Sequence, residues 1–357
     1  MNKVFRLLLS ALLVFSACSK NSKDIKQTAT TNQGSAVEIN SAMLAVFAAV
    51  PQEYTSENNP LTQEKSDLGR MLYYDNRLSK NHDISCNTRH NLATYGVDNK
   101  PTSPGHDGQM GVRNSPTVYN AAGHFVQFWD GREPDVEAQA KGPILNPIEM
   151  RMPDADYVVT VLKSIPGYDS YFKAAFPGDP NPINYDNVGW AIGAFERKLV
   201  TESRWDQFLK GNNQALSNEE KEGFNNYVKA GCTACHSGQL LGGTMFQKLG
   251  IIKPWPGVTD KGRADITNIE TDKYIFKVPS LRDVAKTYPY LHDGSLSDLN
   301  QVVKMMAEYQ MGQRLSDNDV ESIVTFLNVL TGELPTEYIA EPNLPPSGPT
   351  TPAPDPS

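Results

Sequence analysis

Apolar positions recur at helical spacing through most of the chain. Ser41 to Val50 is an apolar, Ala-rich helix start. Between Thr62 and Tyr74, Leu68, Met71 and Leu72 fall on one face. Asp154 to Ile165 groups Val158, Val161 and Leu162 before Pro166-Gly167. Asp186 to Val200 carries Val188, Ile192, Phe195 and Leu199. Ser217 with Glu220 three residues on forms a capping box. Ser316 with Asp319 repeats it ahead of Ile323, Phe326, Leu327 and Leu330, and Gly332 suits a helix C-cap. No strongly alternating strand pattern appears, so the prediction is a mostly α body. Two long Gly- and Pro-containing loops, Asn99 to Pro116 and Gly250 to Arg263, interrupt it, and loops of that length in a compact domain usually build a site. A polar stretch from Arg204 to Leu216 reads as a linker dividing the body in two.

The two ends are different. Lys3 and Arg6 precede an apolar run from Leu7 to Phe15, then Ser16-Ala17-Cys18. This reads as an export signal over residues 1–17, too short to span a membrane as a stable helix. The small pair before Cys18 resembles a bacterial lipoprotein box, which implies a lipid on Cys18 and a periplasm-facing or cell-surface protein tethered by residues 18–40. The competing reading is an ordinary signal peptide with Cys18 removed or idle. Residues 336–357 read as a Pro-rich disordered tail, with seven prolines among the seventeen residues from Glu341 to Ser357.

Composition narrows the function classes. The chain has 357 residues, enough for two ordinary domains. Its net charge is −8, and loss of Lys3 and Arg6 makes it −10, which argues against a general nucleic-acid binder and favours a basic partner. Four cysteines are too few for a disulfide scaffold.

Cys232-Thr233-Ala234-Cys235-His236 is C-x-x-C-H, the attachment sequence of a c-type haem. One helical turn puts both thiols within reach of two vinyl groups and the imidazole under the iron. A zinc site would need two more soft ligands at suitable spacing, and a thioredoxin-like pair would need a βαβ setting; the sequence offers neither. Upstream, Cys86-Asn87-Thr88-Arg89-His90 has the same spacing with Arg89 in place of the second cysteine.

The surroundings of Cys86 resemble bacterial di-haem cytochrome c peroxidases. The matching segments are Leu78-Ser79, Ile84-Ser85-Cys86-Asn87, His90-Asn91-Leu92, Gly105-His106, Arg113 to Val118, Gln127 to Arg132, Gln139 to Pro143, Pro147 to Met150, Val278 to Arg282 and Pro289 to Gly294. The resemblance spans about residues 41 to 333. It implies two cytochrome c-like haem domains with long loops, at 41–203 (peroxidatic) and 204–335 (electron-accepting), their haems facing a shared interface. His90 and His236 would ligate the two irons. Met306 would complete the second site, with Met305 and Met311 as ordinary core alternatives. His106 would be the distal histidine of the first site, on a loop able to swing. Glu149 would be the acid/base, which peroxide cleavage needs to move a proton from the near oxygen to the far one. Gln139 would be its partner amide, and Trp129 would lie between the haems. Asn114, Thr287 and Pro289 match a calcium site, Asn114 by its side chain and two positions by backbone carbonyls. His292 carries no assigned role, and His82 and His124 are expected to have none.

The activity so implied is reduction of hydrogen peroxide by electrons from a small exported carrier, a cytochrome c or a cupredoxin, in a homodimer touching the membrane only through its lipid. Arg89 removes one thioether, so a mono-haem electron-transfer lipoprotein with a disabled first site is the alternative. A tryptophan-modifying methylamine-utilisation enzyme is a further alternative, which would need Tyr309 rather than Met306 at the iron.

Overall fold

A computed structural model describes residues 37–357. The export signal and Cys18 lie outside the described residues. The body is helical: α1 (Ser41–Leu44), α2 (Gln63–Tyr74), α3 (Cys86–Arg89), α4 (Val136–Leu145), α5 (Ala155–Lys163), α6 (Pro166–Ala175), α7 (Tyr185–Glu196), α8 (Arg204–Leu209), α9 (Asn218–Lys229), α10 (Ala264–Thr267), α11 (Leu299–Met311) and α12 (Asp317–Val329). The one sheet among the described residues pairs β1 (Phe246–Lys248) antiparallel with β2 (Ile275–Lys277). No described helix is long and apolar enough to cross a membrane.

The helical stripes bury into two main apolar clusters. In the first, α2 and α7 pack together, with Leu68, Leu72, Val188, Ile192 and Phe195 fully buried. Gly69 permits the contact, because a Cβ there would stand 1.9 Å from the Ala191 carbonyl oxygen. In the second, α9 packs on α12 around Trp205, Phe224 and Phe326. Both capping boxes of the sequence reading sit at helix starts: Ser217 caps α9 and Ser316 caps α12.

The helix grouping Val158, Val161 and Leu162 ends before Pro166, as expected, and Pro166 then opens α6, where its missing N–H costs nothing. Two expectations are corrected. The polar stretch from Arg204 is not a linker at its start, because it forms α8 and sends Trp205, fully buried, into the centre of the second cluster. The disordered tail is the second. Tyr338 stacks on Phe195 with ring centroids 5.1 Å apart, Ile339 is buried in the first cluster, and the Tyr74 hydroxyl donates to the Ile339 carbonyl. Arg77 donates to the Pro345 carbonyl at 2.9 Å, and Asp355 pairs with Lys80 at 3.4 Å. A proline-rich chain has few backbone donors of its own, so these partners come from the body.

The chain ends are thereby crossed between the clusters. Ile39, Met43, Leu44 and Phe47 pack on the second cluster, while Leu334, Tyr338, Ile339 and Leu344 pack on the first.

Candidate functional site

Both histidine motifs fold into the same kind of turn. The His236 N–H donates to the Cys232 carbonyl at 2.9 Å, and the His90 N–H donates to the Cys86 carbonyl at 2.8 Å. Arg89 therefore sits in a turn closed by the same hydrogen bond as the second motif. Each imidazole is oriented by a carbonyl on its Nδ1, Pro116 at 2.9 Å for His90 and Leu241 at 3.1 Å for His236. That contact leaves Nε2 as the free ligating nitrogen. Burial lowers the pKa of both rings, and the Arg89 cation adds to this at His90, so each imidazole is neutral as a ligand must be. Burial also pushes the Cys86 and Cys232 thiols up to about 12, which keeps them protonated.

Each turn opens on its own cavity. The second cavity is lined by Cys232, Cys235, His236 and Met306. Val303, Met306, Gln310 and Met311 of α11 line it as one helical stripe. Tyr309 instead stacks on Trp255, with centroids 5.4 Å apart. Neither Met305 nor Tyr309 is among the lining residues.

The first cavity is lined by Cys86, Arg89, His90, Gln139, Glu149 and Trp129, among others. Its volume, about 230 Å³, matches the 250 Å³ of the second, so Arg89 has not filled it. Arg89 is itself buried, and its Nη1 lies 2.9 Å from Glu149 Oε1. Its Nε has no partner. The residue replacing the second cysteine thus holds the candidate acid/base carboxylate. His106 is not brought into this lining. It sits behind it, its N–H bonded to the carbonyls of Ile148 and Glu149 and both ring nitrogens buried without partners. Its loop is not slack: Gly105 donates to Gln109, Gly111 donates to Ser103, and a Cβ on Gly105 would stand 1.9 Å from the Ile148 carbonyl oxygen.

Trp129 lines both cavities, as do Asn114, Phe128, His124 and Lys277. Its Nε1 donates to the Asn114 carbonyl at 2.9 Å. Arg113 joins the two long loops, with a bidentate pair to Asp260 at 2.6 and 2.8 Å and a contact to Asp130 at 2.5 Å. The Asn114 side-chain amide donates to the Lys100 and Pro101 carbonyls, and Thr287 and Pro289 line the second cavity beside it.

Four further residues belong to this region and were not placed there by the sequence. His292 stacks on Phe276 at 4.2 Å and meets Trp129 edge-on at 6.4 Å. Glu196 lines the first cavity, where burial, reinforced by Glu137, raises its pKa to about 8. Lys277 is buried in the shared wall against His124, with burial lowering its pKa to about 7. None of the four lies in a C-x-x-C-H motif.

A family model of di-haem cytochrome c peroxidases matches residues 63–214. The chain is 44% identical over 317 residues to the cytochrome c551 peroxidase of Pseudomonas aeruginosa, covering 87% of this chain and 90% of that one. It is 35% identical over 289 residues to the methylamine utilization protein MauG of Methylorubrum extorquens, covering 77% and 80% respectively. Among solved structures, a MauG-like protein associated with microbial copper homeostasis superposes with a TM-score of 0.73 at 27% identity, over 82% of this chain and 97% of that one. Two histidine turns on two cavities sharing a tryptophan wall, with relatives matched over most of their length, place the chain in the di-haem cytochrome c peroxidase family.

Proposed function

We propose that this chain reduces hydrogen peroxide to water with electrons from a small exported carrier, a cytochrome c or a cupredoxin. The observation carrying this is the pairing of Glu149 and Gln139 in the cavity of His90 with Trp129 in the wall toward the cavity of His236. The donor sets fit haem of the c type: a thiol and a carbonyl-oriented imidazole in the first cavity, two thiols, an imidazole and a thioether in the second. When bound, haem supplies the redox chemistry that the side chains lack.

The residues around it handle protons and geometry. Glu149 accepts the proton of the near peroxide oxygen and returns it to the far one, a task for a positioned carboxylate. Arg89 fixes that carboxylate by its ion pair. Gln139 offers an amide donor and acceptor in the same cavity. Trp129, pinned by Asn114, sets an aromatic ring between the cavities. His106, buried and unpartnered outside the cavity lining, would have to move with its loop to serve as a further ligand. Asn114, Thr287 and Pro289 would hold calcium by oxygen ligands at the same junction. Export, a lipid on Cys18 and a homodimer complete the reading.

The mono-haem electron carrier is the second reading, favoured by the Arg89–Glu149 pair. The tryptophan-modifying alternative is disfavoured because Tyr309 packs on Trp255 while Met306 lines the cavity. The test is the haem-to-protein ratio, by pyridine haemochrome spectrum and intact mass, with peroxide-dependent oxidation of reduced cytochrome c after calcium loading and pre-reduction. Two haems, one with a single-thioether spectrum, and turnover are expected. One haem on the Cys232–His236 peptide and no turnover would favour the carrier.

A further inference from the structure

Lys277 and His124 have no part in the chemistry above, yet both line the wall shared by the two cavities. Lys277 is 5% exposed, and its Nζ lies 2.8 Å from His124 Nδ1. In its charged form Lys277 only donates, so Nδ1 then accepts and the imidazole proton sits on Nε2. That Nε2 is shut off from solvent and has no partner. The carboxylate nearest in charge to Lys277 is Asp130, already held by Arg113 and Arg132. Among the described residues, no carboxylate pairs with Lys277.

A buried amine without a counter-ion tends to lose its proton, and an anion set beside it restores the charged form. The second cavity shows which cavity that anion occupies. Among its described lining residues Lys277 is the one Lys or Arg, and none is Asp or Glu. Phe276, Lys277, Val278 and Pro279 line it in succession, so Lys277 is the one lysine or arginine in an otherwise apolar and neutral wall. The first cavity differs, since Arg89, Arg113 and Arg132 also line it.

We infer that Lys277, steadied by His124, is the carboxylate-binding group of the second cavity and receives a propionate of the haem held at His236. The inference rests on the reading that His236 holds haem. Lys277 supplies two further N–H donors after the one given to His124, which suits a two-oxygen anion. A cation at that place disfavours the oxidised, more positive form of the haem, and so holds its potential up. Lys277 is thus a positioning residue that also tunes the electron-accepting site.

The test uses haem-loaded full-length protein with Lys277→Met and Lys277→Arg, read by intact mass and by spectroelectrochemical titration of the His236 haem. Lys277→Met is expected to keep its covalently attached haem and to show a lower midpoint potential. Lys277→Arg, which keeps the charge, is expected to stay near the wild-type potential. Should the apolar replacement not fold, Lys277→Gln repeats the experiment with a neutral side chain that still donates. A wild-type potential in either neutral variant overturns the inference while leaving the peroxidase reading intact. Absence of haem from the Cys232–His236 peptide of the wild type overturns both.

Discussion

The side chain at position 89 decides how the first cavity works. Arg89 is buried, with one of its nitrogens on Glu149 and another unpartnered, so each member of the pair leaves the other exposed to a desolvation cost if it is removed. Glu149→Gln is expected to lower peroxide turnover by about 10²–10⁴-fold, the usual worth of a general acid–base group. The same change should lower the melting temperature, because Arg89 keeps its charge and loses its partner; an unchanged melt would show that the pair does not form in solution. Arg89→Cys restores the second cysteine, and two-thioether attachment at both peptides is the expected mass and haemochrome result. Glu196 gives a pH signature. Its folded pKa of about 8 stands above the ordinary 4.5, so the folded chain keeps a proton that the unfolded chain has lost between those values. Its contribution to stability is present below about 4.5 and is lost as pH rises through about 8. Melting curves across that window should fall more steeply for the wild type than for Glu196→Gln. At this scale motif spacing displayed the thiols and the imidazoles, because it is local, while Met306 and Glu149 came only from the family resemblance. The Arg89–Glu149 pair, the Lys277–His124 contact and the burial of Glu196 join positions far apart in sequence, which no spacing rule encodes.

Secondary-structure elements were legible where an apolar stripe and a cap agree, as in α2, α7, α9 and α12. They were not legible where composition misled. The polar run after Arg204 concealed α8, whose buried Trp205 meets Phe47, Phe224 and Phe326 at 5.0 to 5.6 Å. The prolines after Glu341 concealed a docked segment, because extended chain buries side chains without any periodicity. Ending the chain at residue 335 is therefore expected to cost several kcal/mol, at roughly 1.5–3 kcal/mol for each large apolar side chain uncovered, Tyr338 and Ile339 foremost. Thermal unfolding measures this, and a truncated chain that melts with the full-length protein would disprove the docking.

Across the whole molecule, buried polar contacts link the residues around the two main clusters. Asn120 donates to Thr201, Thr201 donates to Asp283, and Asp283 accepts the Gly332 N–H. Nearby, Asp206 accepts from Arg282 at 2.5 Å and from the Val50 N–H at 2.9 Å. Arg282→Met leaves Asp206 as an unpaired buried charge and is expected to destabilise the protein by about 3–5 kcal/mol. Chemical denaturation checks the size of that loss. That residues 39–47 pack on the second cluster and 334–344 on the first was not legible in the sequence, since neither contact leaves a periodic pattern. That exchange bears on the order of events during synthesis. A ribosome delivers α2, Cys86 and α7 long before Tyr338 and Ile339, so the first cluster stays without its cover while the second is still being made. Tyr74 and Phe195, which that segment covers, stay open to solvent during that interval. A chain arrested before residue 336 should accordingly be cut within the first cluster by a protease that the finished chain resists.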